Sequence, residues 1–161
     1  MGYAVLHIDK ARSNDSGNTA HIARTYTPSN VDPSRTRLNR ELVQFPANVT
    51  NRSEAIEHRI ATAGIYRKVA KNQVKALRFI LSSSPEDMAR IEQEGLLYEW
   101  CDESMDWLRS TFGADNVVAA TLHADEDTPH IHATVVPIVT GERRKAKEEA
   151  ENGKRKYKTK K

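Results

Sequence analysis

Three of the chain's six histidines, His123, His130 and His132, fall within ten residues of one another, and their spacing is that of a metal site. On a strand, residues two apart face the same way, so His130 and His132 project from one face with Cα atoms roughly 6.6 Å apart. If His123 closes a neighbouring strand on that face, cross-strand geometry brings its ring within about 5 Å of one of them. Neutral imidazoles suit Mn, Fe, Ni, Cu or Zn better than Mg, which prefers oxygen. Three protein ligands also leave open positions where a phosphate oxygen and a water can bind. A His-x-His pair on an exposed strand arises by chance, but a third histidine with Asp125, Glu126 and Pro129 in the same stretch argues for a site. Asp125 and Glu126 are candidate acceptors that would orient the ligand imidazoles, and Glu126 could also reach the metal or an incoming nucleophile. The alternative for the Asp-Glu-Asp-Thr run is ordinary turn chemistry.

Positioning these groups requires a sheet. Residues 116–123 and 130–138 are rich in Val, Ala, Thr and Ile and form a hairpin pair. Residues 3–9 alternate, with Ala4, Leu6 and Ile8 on one face, as in a half-buried strand. Residues 74–81 read as a further strand, with a helix as the alternative. Residues 12–52 hold Asn14, Asp15, Gly17, Pro28, Pro33 and Pro46, a density of turn formers that predicts long loops with short helices at most. Such a loop in a compact domain is disordered or functional. A helix starts at Ser53 and its amphipathic run takes in Ala55, Ile56, Ile60, Ala63 and Gly64, with a continuation through Tyr66, Val69 and Ala70 as an option. Ser84-Pro85-Glu86-Asp87 supplies an N-cap serine, proline at the first helical position and first-turn acids. One long helix is expected from there to Gly113, with Trp100 and Trp107 in the core. The class is therefore α+β, an antiparallel sheet of four or five strands with the two helices packed on one face.

At 161 residues the chain has the length of one domain and can bury a sizeable core without disulfides. The single cysteine, Cys101, reads as a small buried thiol and fits a reducing, cytoplasmic setting. No apolar run reaches the roughly 18 residues of a membrane span, and the N-terminus lacks a signal-peptide pattern. The net charge of +3 is a property of the end of the chain: residues 141–161 carry ten Lys or Arg against four Glu, leaving residues 1–140 with 15 basic and 18 acidic groups. Domain boundaries follow: residues 1–140 as the catalytic domain, 141–161 as a basic tail, helical or disordered, able to lie on phosphates or simply to solubilise.

The run His123-Ala-Asp125-Glu126-Asp-Thr128-Pro129-His130-Ile-His132 resembles the third motif of the MobV (Mob/Pre) plasmid-mobilization relaxases, a branch of the HUH endonucleases. His21-Ile-Ala-Arg24 is similar to their first motif. Asp32-Pro33-Ser34-Arg35 followed by Asn39-Arg40-Glu41-Leu42 is similar to their second. The likeness covers roughly residues 2–140, with the motifs in the same order. It implies a relaxase that nicks one DNA strand at an origin of transfer through a covalent phosphohistidine on His21 and can rejoin it. It further implies a divalent metal, Mn²⁺ first with Mg²⁺, Zn²⁺ or Ni²⁺ as other occupants. The implied partners are single-stranded or supercoiled origin DNA and coupling and accessory mobilization proteins.

The residues are consistent with that chemistry. An imidazole near neutral pH has a usable lone pair and can be aimed by a carboxylate on its other nitrogen, for which Glu126 or Asp125 is the candidate. Arg24 would add charge stabilisation at the phosphate. Arg12, Arg35, Arg37 and Arg40 are candidate phosphate contacts, and Asn39 is a DNA contact or a structural cap. Arg37 and Arg40 stand where many relatives have a histidine and an aromatic residue, so they are assigned to DNA contact alone. Two other readings remain open: a rolling-circle replication initiator using Tyr26 as nucleophile, and a non-catalytic DNA-binding protein with a structural metal.

Overall fold

The computed structural model describes residues 4–11, 16–65 and 70–139. Its centre is a five-stranded sheet, antiparallel throughout, made of β1 (Ala4–Ala11), β2 (Arg40–Glu41), β3 (Ala76–Ser83), β4 (Val117–His123) and β5 (His130–Val135), in the order β1-β3-β5-β4-β2. The expected hairpin is β4–β5, with Leu122 opposite Ile131 and His123 opposite His130. Because side chains alternate, this register sends Leu122, Ile131 and Ala133 to one face and His123, His130 and His132 to the other.

On the apolar face, β3 to β5 contribute Phe79, Leu81, Ala120, Leu122, Ile131 and Val135, which pack against Cys101, Met105 and Leu108 of α4 (Leu97–Phe112). Those three α4 positions recur at four- and three-residue steps, the spacing of one helical face. Trp107 falls outside that stripe and is 43% exposed, edge-on to Phe112, so it is not a core residue. Trp100 is half-buried against the cluster.

The helix expected over residues 84–113 is two helices. Ser84 caps α3 (Pro85–Gln93) by accepting from the Asp87 backbone N–H, as its sequence signals indicate. The chain then leaves the helix at Gly95, whose φ of +72° suits glycine. The Gly95 N–H donates to the Glu92 carbonyl and the Leu96 N–H to the Ile91 carbonyl, the paired bonds of a Schellman stop.

On the histidine face, α2 (Arg52–Thr62) buries Ala55 and Ile56 against Val49, Val118, Ala119 and Val136. The fully buried Ile56 alone contributes roughly 1.5–3 kcal/mol. Helices thus lie on both faces, α4 on one and α2 on the other, rather than on one as expected. The α2 helix stops at Thr62, ahead of Gly64 at φ +69°; Tyr66 and Val69 of the expected continuation lie outside the described residues. Among the described residues, 16–51 hold only α1 (Ser16–Ile22), a 3-10 turn (Pro33–Leu38) and β2. Leu6 and Ile8 of β1 are each 49% exposed because β1 is an edge strand with a neighbour on one side only. Cys101 is buried, as expected, and no helix among the described residues is long and apolar enough to cross a membrane.

Candidate metal centre and nucleophile

The hairpin brings the three histidines together. Their rings lie 4.7 to 5.4 Å apart between centroids, and one nitrogen from each lies within 4.8 Å of the other two. In two of the three the second nitrogen is held by a backbone carbonyl: His123 Nε2 is 2.9 Å from the Ile22 oxygen and His130 Nδ1 is 2.8 Å from the Thr128 oxygen. Each of these nitrogens must carry the proton, since a carbonyl only accepts. The lone pairs are therefore left on His123 Nδ1 and His130 Nε2.

His123 Nδ1 is buried with no hydrogen bond, and His130 Nε2 lies 3.1 Å from His132 Nε2 and 3.0 Å from Glu126 Oε2. A buried acceptor left unpartnered, as His123 Nδ1 is, costs free energy unless a cation fills the space beside it. Imidazoles held through their second nitrogen by a carbonyl are the usual state of metal-ligating histidines. Burial also pushes the His123 imidazole down to about 4, and burial with the neighbouring His130 pushes His132 down to about 2. Both are neutral near pH 7, the form that binds a metal. The donor set fits a divalent transition ion.

His21 lies in the last turn of α1, and the Ile22 carbonyl that holds His123 ties this helix end to the sheet. The His21 ring centroid stands 6.2 Å from that of His123 and 6.1 Å from that of His132. Its Nε2 is 3.9 Å from Glu126 Oε1, and its Nδ1 is 3.4 Å from the Tyr26 hydroxyl. Glu126 Oε2 in turn lies 3.0 Å from His130 Nε2. His21, Glu126, His130 and His132 share the wall of an open groove of about 520 Å³ with Ser82 and Thr128. An imidazole outside the three-histidine cluster, a carboxylate and two of the three clustered imidazoles therefore face one cleft.

Asp125 does not orient an imidazole. Its carboxylate accepts from Arg24 Nε at 3.0 Å and Nη2 at 2.8 Å, from the Thr36 hydroxyl at 2.9 Å and from Asn39 Nδ2 at 3.0 Å. Burial pushes this carboxyl up, but the bonds from Arg24, Thr36 and Asn39 outweigh burial and hold it well below the ordinary carboxylate range. Burial likewise opposes the Arg24 charge, and Asp125 and Glu126 more than compensate, raising its pKa. Arg24 is engaged within the protein: besides Asp125 it donates to the His21 carbonyl at 2.9 Å and to Glu126 Oε1 at 3.1 Å.

The expected DNA contacts divide. Arg37 and Arg40 are exposed, with the Arg40 guanidinium 5.4 Å from the Tyr98 ring centroid. Arg35 is tied to the Ala124 carbonyl and to Glu92. Asn39 caps the 3-10 turn and bridges Asp125 and the Ala124 N–H, so of its two expected roles it takes the structural one. Arg12 lies outside the described residues, as does the 141–161 tail. Sequence reading missed Thr36 and Arg52. Arg52, 5% exposed on the histidine face, donates to the Thr134 hydroxyl at 2.5 Å. Its signal was a cation at the first position of a helix, where the dipole disfavours it.

Residues 1–160 match the family described as plasmid recombination enzyme. A plasmid recombination enzyme type 3 of Staphylococcus aureus is 32% identical over 162 residues, covering 96% of this chain and 38% of that protein. A plasmid recombination enzyme of a Bacillus species is 30% identical over 148 residues, covering 88% and 34%. The chain thus spans little more than a third of the length of these relatives. Among solved structures, the MobM relaxase domain (MOBV; Mob_Pre), Mn-bound and in complex with plasmid pMV158 oriT DNA, superposes with a TM-score of 0.76 at 26% identity, over 87% of this chain and 73% of that one.

Proposed function

The chain belongs to the family of plasmid recombination enzymes, and from that membership we propose that it is a relaxase domain that nicks, and can rejoin, one DNA strand at a plasmid origin of transfer. The observation that carries the reading is a cluster of three metal-competent imidazoles, two of which, His130 and His132, share one open groove with His21 and Glu126 while His123 is buried behind them. A Mn-bound relative of the same fold with origin DNA supports both the metal class and the substrate.

In this reading His21 attacks the phosphorus of the scissile phosphodiester through a ring nitrogen. The N–P bond forms as the P–O3′ bond breaks, and the departing strand takes a proton from water to become a free 3′ hydroxyl. Attack through a ring lone pair leaves the imidazole cationic, and Glu126, 3.9 Å from Nε2, supplies the compensating charge. A divalent ion on His123, His130 and His132 would polarise the non-bridging phosphate oxygens. Attack by the 3′ hydroxyl on the same phosphorus reverses the step and reseals the strand. Exposed Arg37 and Arg40, with Arg12, would contact phosphates, and accessory mobilization proteins would join at the origin in the cytoplasm.

The test is nicking of a supercoiled plasmid bearing a mobilization origin, in Mn²⁺ and in chelator. Nicked product carrying bound protein is expected in Mn²⁺ only, and His21→Ala should abolish it. Loss of the adduct in Tyr26→Phe with its retention in His21→Ala would instead support a tyrosine-using initiator.

A further inference from the structure

Of the neighbouring acids Asp125 and Glu126 in the histidine hairpin, Glu126 lines the groove and Asp125 does not. Asp125 is 1% exposed and makes no hydrogen bond to any of the four imidazoles; its carboxylate is occupied by Arg24, Thr36 and Asn39. Its backbone carbonyl also accepts from the Asp32 N–H at 2.7 Å. The three segments that carry the site, around residues 21–24, 32–39 and 123–126, therefore meet at this one buried carboxylate.

Arg24 is the link from there to the groove. Its side chain is 7% exposed, and its backbone has a φ of +54°, a conformation that costs a non-glycine residue about 1 kcal/mol and persists only where contacts enforce it. One edge of the guanidinium is docked on Asp125 in fork geometry. The remaining contacts go to the His21 carbonyl and to Glu126 Oε1, the oxygen that faces His21 Nε2.

Resting on the relaxase reading, we propose that Asp125 is a positioning residue: it fixes Arg24 so that the guanidinium aligns the Glu126 carboxylate and the His21 backbone, and Arg24 serves that alignment instead of binding the scissile phosphate. A phosphate contact and an internal clamp differ in salt dependence. Each phosphate neutralised by a cation adds about 0.9 to the slope of log affinity against log salt on duplex, about 0.7 on a single strand.

The experiment compares wild type with Asp125→Asn, Arg24→Gln and Glu126→Gln on a labelled single-stranded origin oligonucleotide in saturating Mn²⁺. Adduct formation is expected to slow by about 100-fold in Asp125→Asn and Arg24→Gln, the scale of a 1 Å misplacement. Oligonucleotide affinity and its salt slope should stay at wild-type values. Asp125→Asn combined with Glu126→Gln should be no slower than Glu126→Gln alone. A slope reduced by about 0.7 in Arg24→Gln, or multiplying losses in the double variant, overturns the proposal. Should Asp125→Asn fail to fold, Thr36→Val removes a single bond to the same carboxylate and is expected to slow the adduct by several-fold. His21 ring resonances need no turnover. They should move in Asp125→Asn or Thr36→Val even if wild type proves unable to nick, and their constancy would overturn the alignment independently of the relaxase reading.

Discussion

Stripping the metal should make the fold acid-sensitive in a defined window. His123 is fully buried, and burial lowers its imidazole to about 4 from an ordinary 6.5. In the unfolded chain the same ring takes up a proton near pH 6.5. Between pH 6.5 and about 4 the unfolded state therefore binds more protons, and stability falls as pH falls. That interval, about 2.5 pH units at roughly 1.36 kcal/mol each, sets a loss of about 3 kcal/mol for His123 alone. His132, lowered further, adds a loss of the same sign. Against a total stability of about 5–15 kcal/mol, the effect is large. The assay is urea unfolding of chelator-treated protein at pH 7.5 and 4.5, comparing wild type with His123→Gln. Wild type should lose about 2–3 kcal/mol more than the variant across that range. Equal losses would refute the claim that a neutral, buried His123 is built into the metal-free site.

Other consequences follow from the same geometry. His130→Ala and His132→Ala should each weaken Mn²⁺ binding by at least tenfold with the far-ultraviolet circular dichroism unchanged, as titration calorimetry would read. Leu108→Ala, at a fully buried position facing the sheet, should cost about 2–5 kcal/mol in denaturant unfolding. Gly95→Ala should destabilise by about 1 kcal/mol, since nothing crowds the site but its φ of +72° disfavours a Cβ. Burial raises the Cys101 thiol to about 12, so native protein should resist alkylation at pH 8 and react only on unfolding.

The site was legible in sequence where local period decides geometry. His123, His130 and His132 share a face because strand alternation and a short turn leave them no other arrangement. Asp125 was misassigned because its partners, Arg24, Thr36 and Asn39, are some 86 to 101 residues away in the chain, and no local pattern reports such an approach. The break at Gly95 was visible as a glycine, yet the apolar period across residues 84–113 continued through it and suggested one helix. Trp107 shows the opposite error, in which hydrophobic size suggested burial and helical phase decided exposure. The two-residue β2 is too short to carry a pattern at all; its pairing with β4 comes from the sheet edge it completes.

In the proposed function His21, aimed by Glu126 beside the three clustered imidazoles, is the group that takes the phosphate. The most direct measurement is peptide mapping by mass spectrometry of protein reacted with an origin oligonucleotide in Mn²⁺ and digested with nuclease. A nucleotide joined through an acid-labile P–N bond to His21 is expected. An acid-stable adduct on Tyr26, or the same yield of adduct from His21→Ala, would contradict it.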